Sequence, residues 1–297
     1  MALEFSYRNQ VEAQLWSIAS QQIDKALREC DDDKIELGEL VHKLRRRCKK
    51  LRGLVRMAKP HFKQWKRENR AFRDAARSLS GRRDAAVLGE TFSDLLTFDS
   101  KRDGGGRIGE GQAARLGKRF ADRVGEPPKG EDRIRFLKSF VKIFKAAAKR
   151  AKSWSLSGHG FDKIGDGVEE TYQRMRDGLR QAEAQPTAEL MHAWRKDTKY
   201  HWQHVGLLHR AAPEVLEPRK KALDQLGELL GDHHNLVVLT EALAKRRNVK
   251  TVRRVIRERQ KLLAADALVL GRQLVAEKPA LLRTRLEQYW ALLPEKS

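Results

Sequence analysis

Val41–Arg56 reads VHKLRRRCKKLRGLVR, and Met191–Gly206 reads MHAWRKDTKYHWQHVG. His42, Arg45 and Lys49 recur about 150 positions on as His192, Arg195 and Lys199, and Arg46 recurs as Lys196. On a helix advancing about 100° per residue, His42, Arg45, Lys49, Arg52 and Arg56 fall within a sector of about 80°. Val41, Leu44, Cys48, Leu51 and Val55 fill a separate apolar sector suited to a core, while Lys43, Arg47 and Lys50 form a solvated third face. Both stretches therefore read as helices. Two cationic faces on one chain point to an anionic ligand.

The same periodicity predicts helices at about 5–30, 34–59, 62–79, 82–98, 131–153, 160–184, 187–211, 216–230, 233–247, 249–276 and 278–293. No segment alternates as a strand would, so the fold class is all-α. Pro60, Pro213, Pro218 and Pro279 are expected between helices, and Asp31-Asp32-Asp33 at a helix start, capping free N–H groups. Residues 99–130, with Gly104-Gly105-Gly106 and Pro127-Pro128, read as a flexible Gly-rich insertion holding a short helix near Gln112–Asp122. The motif offset predicts one domain of two similar halves, 1–155 and 156–297.

A formal charge of +22 on 297 residues, with 40% hydrophobic content, describes a folded chain that draws polyanions: nucleic acid, polyphosphate or an acidic membrane surface. Cys30 and Cys48 are too few for a disulfide framework or zinc site and read as reduced thiols. The N-terminal MALEFSYRNQ lacks the pattern of a secretory signal, and no apolar run approaches the roughly 20 residues of a membrane span. The expectation is a cytoplasmic protein with no membrane partner.

Two further stripes repeat the cationic design. Lys63, Lys66, Arg70, Arg73 and Arg77 lie opposite Trp65 and Phe72, and Lys138, Lys142, Lys145, Lys149 and Lys152 lie opposite Phe136, Phe140, Ile143 and Phe144. Like charges at these spacings repel unless an anion or carboxylate relieves them. The second copy of the motif is weaker: Trp202 stands where Arg52 stands in the first, and Asp197 and Tyr200 dilute its charge.

The doubled His-x-x-Arg-x-x-x-Lys pattern resembles the CHAD family, the "conserved histidine α-helical domain". A second doubled element agrees, LSGRRDAAVL from Leu79 and LGDHHNLVVL from Leu230. Arg83-Asp84 matches the family's pair there, and His234-Asn235 departs from it. The resemblance covers about Gln10 to Leu293. It implies two pseudo-symmetric four-helix bundles with a basic channel or groove between them, and binding of inorganic polyphosphate at polyphosphate granules. Together with the cationic faces read above, the candidate site residues are His42, Arg45, Arg46, Lys49, Arg52 and Arg56, with His192, Arg195, Lys196 and Lys199 opposite. Arg70, Arg73, Arg77, Lys142, Lys145 and Lys149 would form outer walls.

Chemistry agrees with that implication. Polyphosphate is a chain of anionic tetrahedra with no bases to stack, so its receptor needs repeated Arg forks and Lys point charges on rigid helices. Bound phosphates favour charged histidine, which predicts tighter binding below about pH 6.5. The alternative is sequence-nonspecific nucleic-acid binding, although no zinc-finger spacing, RNP motif or basic zipper is present and the tryptophans fall mostly on apolar faces. An enzyme is not expected. No RHG motif occurs, the carboxylates Asp197, Asp232 and Glu241 sit in basic surroundings, and His201 and His209 fall toward apolar faces. No cofactor or metal is predicted, and other phosphorylated polyanions remain alternative ligands.

Overall fold

The computed structural model describes residues 3–79, 82–101, 104–122 and 130–296, with the side chains of 82–86 outside the described set. These residues form eleven α-helices and no strand: α1 (Val11–Asp31), α2 (Leu37–Met57), α3 (Trp65–Ser78), α4 (Arg82–Ser100), α5 (Glu110–Asp122), α6 (Gly130–Ala151), α7 (Asp162–Ala184), α8 (Ala188–Leu208), α9 (Pro213–Ala242), α10 (Lys250–Leu274) and α11 (Pro279–Ala291). Among the described residues, no helix is long and apolar enough to cross a membrane.

Helix α2 packs on α1 and α3, and α6 packs on both as well, which closes a ring of four. Helices α7, α8, α9 and α10 close a second ring in chain order. A large core runs from Phe5 to Leu293 and joins residues of both rings. A smaller core combines Leu88, Phe92, Leu95, Leu116 and Phe120 of α4 and α5 with Leu236 and Leu239 of α9 and Val252, Val255 and Ile256 of α10. The Gly-rich stretch thus contributes α5 to this second core. Buried Asp99 ties down its start, accepting hydrogen bonds from Arg107 N (2.7 Å) and Ile108 N (2.8 Å).

Several local expectations change. Helix α1 starts at Val11 rather than near residue 5, because the Gln14 amide bonds Ser6 N, Tyr7 N, Tyr7 O and Asn9 O, locking the preceding residues into a loop. The Asp31–Asp33 run does not cap α2. Asp31 ends α1, and the carboxylate of Glu36 accepts from Glu39 N at 3.0 Å instead. The break expected between 230 and 233 is absent, and α9 is one 30-residue helix with Pro218 inside it. Proline in its second turn forfeits a single backbone hydrogen bond. The helix recovers more than that by spanning both cores, with Leu216 to Leu230 in the large one and Leu236 and Leu239 in the small one.

Candidate anion-binding face

Helix α2 buries Leu40, Val41, Leu44, Cys48, Leu51 and Val55, which puts the motif cations on the opposite side. Arg47, expected on a solvated face, instead turns to α1, donating to Glu29 (2.6 Å) and Gln22 (3.1 Å). His42, Arg46 and Lys49 are exposed there, while Arg45, Arg52 and Arg56 are half-buried. The half-buried guanidiniums are held by neutral groups. Arg45 Nη1 donates to the Ala76 carbonyl of α3 (3.3 Å), and Arg52 Nε donates to Asn69 Oδ1 (3.1 Å). The guanidinium carbons of Arg56 and Arg52 lie 4.2 Å and 5.8 Å from the ring centre of Tyr200, on α8. Such cation–π contacts contribute about 0.5–2 kcal/mol and fix the guanidinium planes. None of the three arginines makes an ion pair with a described residue. Tyr200, which from sequence only dilutes charge, is therefore an orienting group.

On α3, Arg73 lies between Asn69 and Ala76 on the side turned to α2, and its Nε donates to Asp74 (3.0 Å). Exposed Arg70 and Arg77 continue that flank. These α3 residues join the α2 face. Lys142, Lys145 and Lys149 do not: they line a groove with Cys30, Asp31 and Asp33 of the α1 end, and no α2 or α8 residue lines it. Sequence reading aligned each stripe along its own helix, but α6 lies across its ring from α2. The Arg83 and Asp84 side chains lie outside the described residues.

The second motif is laid along α9. Lys199 Nζ reaches Asp224 Oδ1 (2.9 Å), Arg195 runs over Gly231, and His192 stacks on His234 with ring centres 4.1 Å apart. Gly227 and Gly231 leave a smooth strip, since a Cβ there would come 2.8 Å from Lys199 Cδ and 3.3 Å from Arg195 Nε. Lys196 stays exposed. Asp197 is only 9% exposed and pairs with Arg174 at 3.2 Å; burial pushes its carboxyl up, against the pull of Arg174 and Arg56.

Helices α2 and α8 meet at Gly53. His204 Nε2 lies 3.0 Å from the Gly53 carbonyl, and a Cβ on Gly53 would stand 2.8 Å from Gln203 Cδ. Gly53 amid large side chains was the available sequence signal for this crossing. His42 and His192 each lie eleven positions before it, about 16 Å back along their own helices. The crossing thus unites Arg52 and Arg56 with Tyr200, and the motif histidines lie beyond it.

Burial holds His204 at 0% exposure and lowers its pKa to about 3, so the neutral ring donates Nε2–H to Gly53. His201, also 0% exposed, is lowered well below the ordinary value by burial and Arg219. His209 is not in the core but half-buried between Glu4 and Glu217, 3.2 Å from each. An unfolded chain protonates histidine below about pH 6.5 while the fold keeps His204 and His201 neutral, so stability falls as pH drops. His204 alone is expected to cost about 1 kcal/mol between pH 7 and 5.5, with His201 adding in the same direction. Denaturant midpoints at the two pH values check this, and equal midpoints contradict it.

His192 changes the expected pH profile of binding. Burial, then His234, Lys196 and Arg195, lower its pKa to about 4, so it is neutral in the free protein at pH 6.5. A phosphate beside it raises that value, and protonation then accompanies binding. The gain in affinity from His192 is therefore expected to grow as pH falls through the raised, ligand-bound value and to level off near pH 4. Polyphosphate titrations of the parent and His192→Gln from pH 4.5 to 8 are expected to diverge only on the acid side. Parallel curves remove His192 from the site.

A family model described as CHAD domain matches residues 17–244. No curated protein and no solved structure matches the chain.

Proposed function

The chain belongs to the CHAD family, and on that premise we propose that it binds inorganic polyphosphate along the cationic face of α2 and α3, with α8 as a second contact. The observation that carries this reading is the set of half-buried arginines, Arg45, Arg52 and Arg56. They are fixed in place by a carbonyl, an amide and an aromatic ring; none makes an ion pair with a described residue, and Arg56 feels the Asp197 carboxylate only at longer range. Fixed guanidiniums lose little entropy on meeting phosphate, and repeating anions suit a repeating ladder. We read the two helix rings as four-helix bundles related by an approximate twofold, with the binding groove where they meet. The contact of positions 53 and 203, separated by the same 150 residues as the motifs, supports that relation. The function is binding rather than catalysis, with targeting to or organisation of polyphosphate granules in the cytoplasm as the biological role.

A competition titration at about 150 mM salt tests the proposal. Labelled long-chain polyphosphate is challenged with unlabelled polyphosphate, duplex DNA or single-stranded RNA at equal phosphate concentration. Polyphosphate is expected to compete best, because Arg56 already occupies the Tyr200 ring that would otherwise stack a base. Equal competition by DNA or RNA makes the face a general polyanion surface and nucleic acid the leading partner.

A further inference from the structure

The groove between the end of α1 and the outer side of α6 has a volume of about 660 Å³ and a composition unlike the α2 face. Its floor is apolar: Cys30, Leu137, Val141 and Ala146, with Ile134 at one end 71% exposed. Its rim is cationic. Lys138, Lys142, Lys145 and Lys149 all line it, and none makes an ion pair with a described residue. The arginines of α6 are engaged: Arg133, which also lines the groove, donates to the Ile35 and Asp32 carbonyls, Arg135 pairs with Asp132 at 3.4 Å, and Arg150 grips buried Glu68 at 2.7 Å and 2.8 Å. Asp31 and Asp33 flank Asp32, whose carbonyl Arg133 holds at 2.9 Å, so they stand at the Ile134 end and confine the positive rim to the Lys138–Lys149 stretch, about three helical turns. The Cys30 thiol is held protonated by burial, its pKa pushed up to about 12, so the floor is inert.

We propose that this groove docks an acidic amphipathic helix of a partner protein, its apolar stripe on the floor and its carboxylates on the lysine rim. Charge complementarity selects the occupant, since lysines spaced four, three and four apart repel one another until carboxylates meet them. A bare phosphate chain has no apolar surface to offer Ile134 and Val141, and would surrender hydration over them. A concave apolar floor flanked by charge is also the shape that receives the i, i+3, i+4, i+7 anchors of a helix. This site is separate from the α2 face, so either can fail without the other.

Two synthetic peptides of about 18 residues (five turns), equal in Leu, Glu and Ala content, test it by fluorescence anisotropy on the full chain at about 150 mM salt. One carries leucine at helical spacing with flanking glutamates, and the other is scrambled. The amphipathic peptide is expected to bind at least about tenfold more tightly. Lys142→Gln/Lys145→Gln and, separately, Ile134→Ser are each expected to remove most of that advantage and leave polyphosphate affinity within about twofold. Equal binding of the scrambled peptide overturns the proposal, as does an advantage untouched by both variants. Parallel loss of polyphosphate binding in Lys142→Gln/Lys145→Gln also overturns it and returns those lysines to the polyanion site.

Discussion

Replacing Arg45 and Lys49 together with alanine is expected to weaken polyphosphate binding by roughly 10²- to 10⁴-fold while the helical fold persists. Charge-assisted hydrogen bonds contribute about 1.5–3 kcal/mol each, and the pair removes two adjacent donors from one face. Lys49 is exposed, so its loss leaves the core untouched. Arg45 also donates to the Ala76 carbonyl at 3.3 Å. Losing that long bond to an uncharged acceptor is worth about 1.5 kcal/mol, a few degrees of melting temperature at this chain length. Affinity and stability therefore separate by magnitude. Titration with labelled polyphosphate, alongside a thermal melt followed by circular dichroism, reads both. Unchanged affinity in a folded double variant removes the α2 face from the site.

Gly167→Ala is expected to destabilise the fold by about 2 kcal/mol or more, although alanine is the better helix former. Gly167 lies on α7 where it meets the end of α2. An added Cβ would penetrate the Met57 carbonyl oxygen and stand 2.7 Å from its carbon and 3.0 Å from the Arg56 oxygen. Those are backbone atoms and cannot rotate away. The two helices must separate at this point, which disturbs the end of α2 that carries Arg56. Gly117→Ala on α5 is the control: nothing lies within 4 Å of its Cβ position, so propensity alone acts and stability rises by up to about 1 kcal/mol. Denaturant unfolding of the two variants is expected to move in opposite directions. A neutral Gly167→Ala contradicts the close α2–α7 approach.

Those two glycines show where reading from sequence stops. Both stand inside helices, and only the neighbour supplied by a distant segment distinguishes them. The same boundary runs through the candidate site. The cationic sector of α2 and its apolar counterpart were legible because helical periodicity is local, and a buried stripe containing Leu44, Cys48 and Leu51 forces His42, Arg46 and Lys49 outward. The doubled motif and the family were legible for the same reason. Which stripes share a surface was not. The lysines of α6 have the spacing of a phosphate ladder, yet ring packing turns them to a groove floored by Leu137 and Val141. The unbroken course of α9 was likewise decided by two cores at its two ends, against the local hint of Gly231 and Pro218.

Sequence by itself determined the helical class, the cationic faces and the pairing of His42, Arg45 and Lys49 with His192, Arg195 and Lys199, since these follow from the order of side chains along a repeating backbone. Tertiary structure alone decided that Tyr200 orients Arg52 and Arg56, that Lys199 is spent on Asp224, and that His192 is neutral near pH 6.5. Each of these depends on desolvation and contact between residues far apart in the chain, and such terms arise only once the helices have packed.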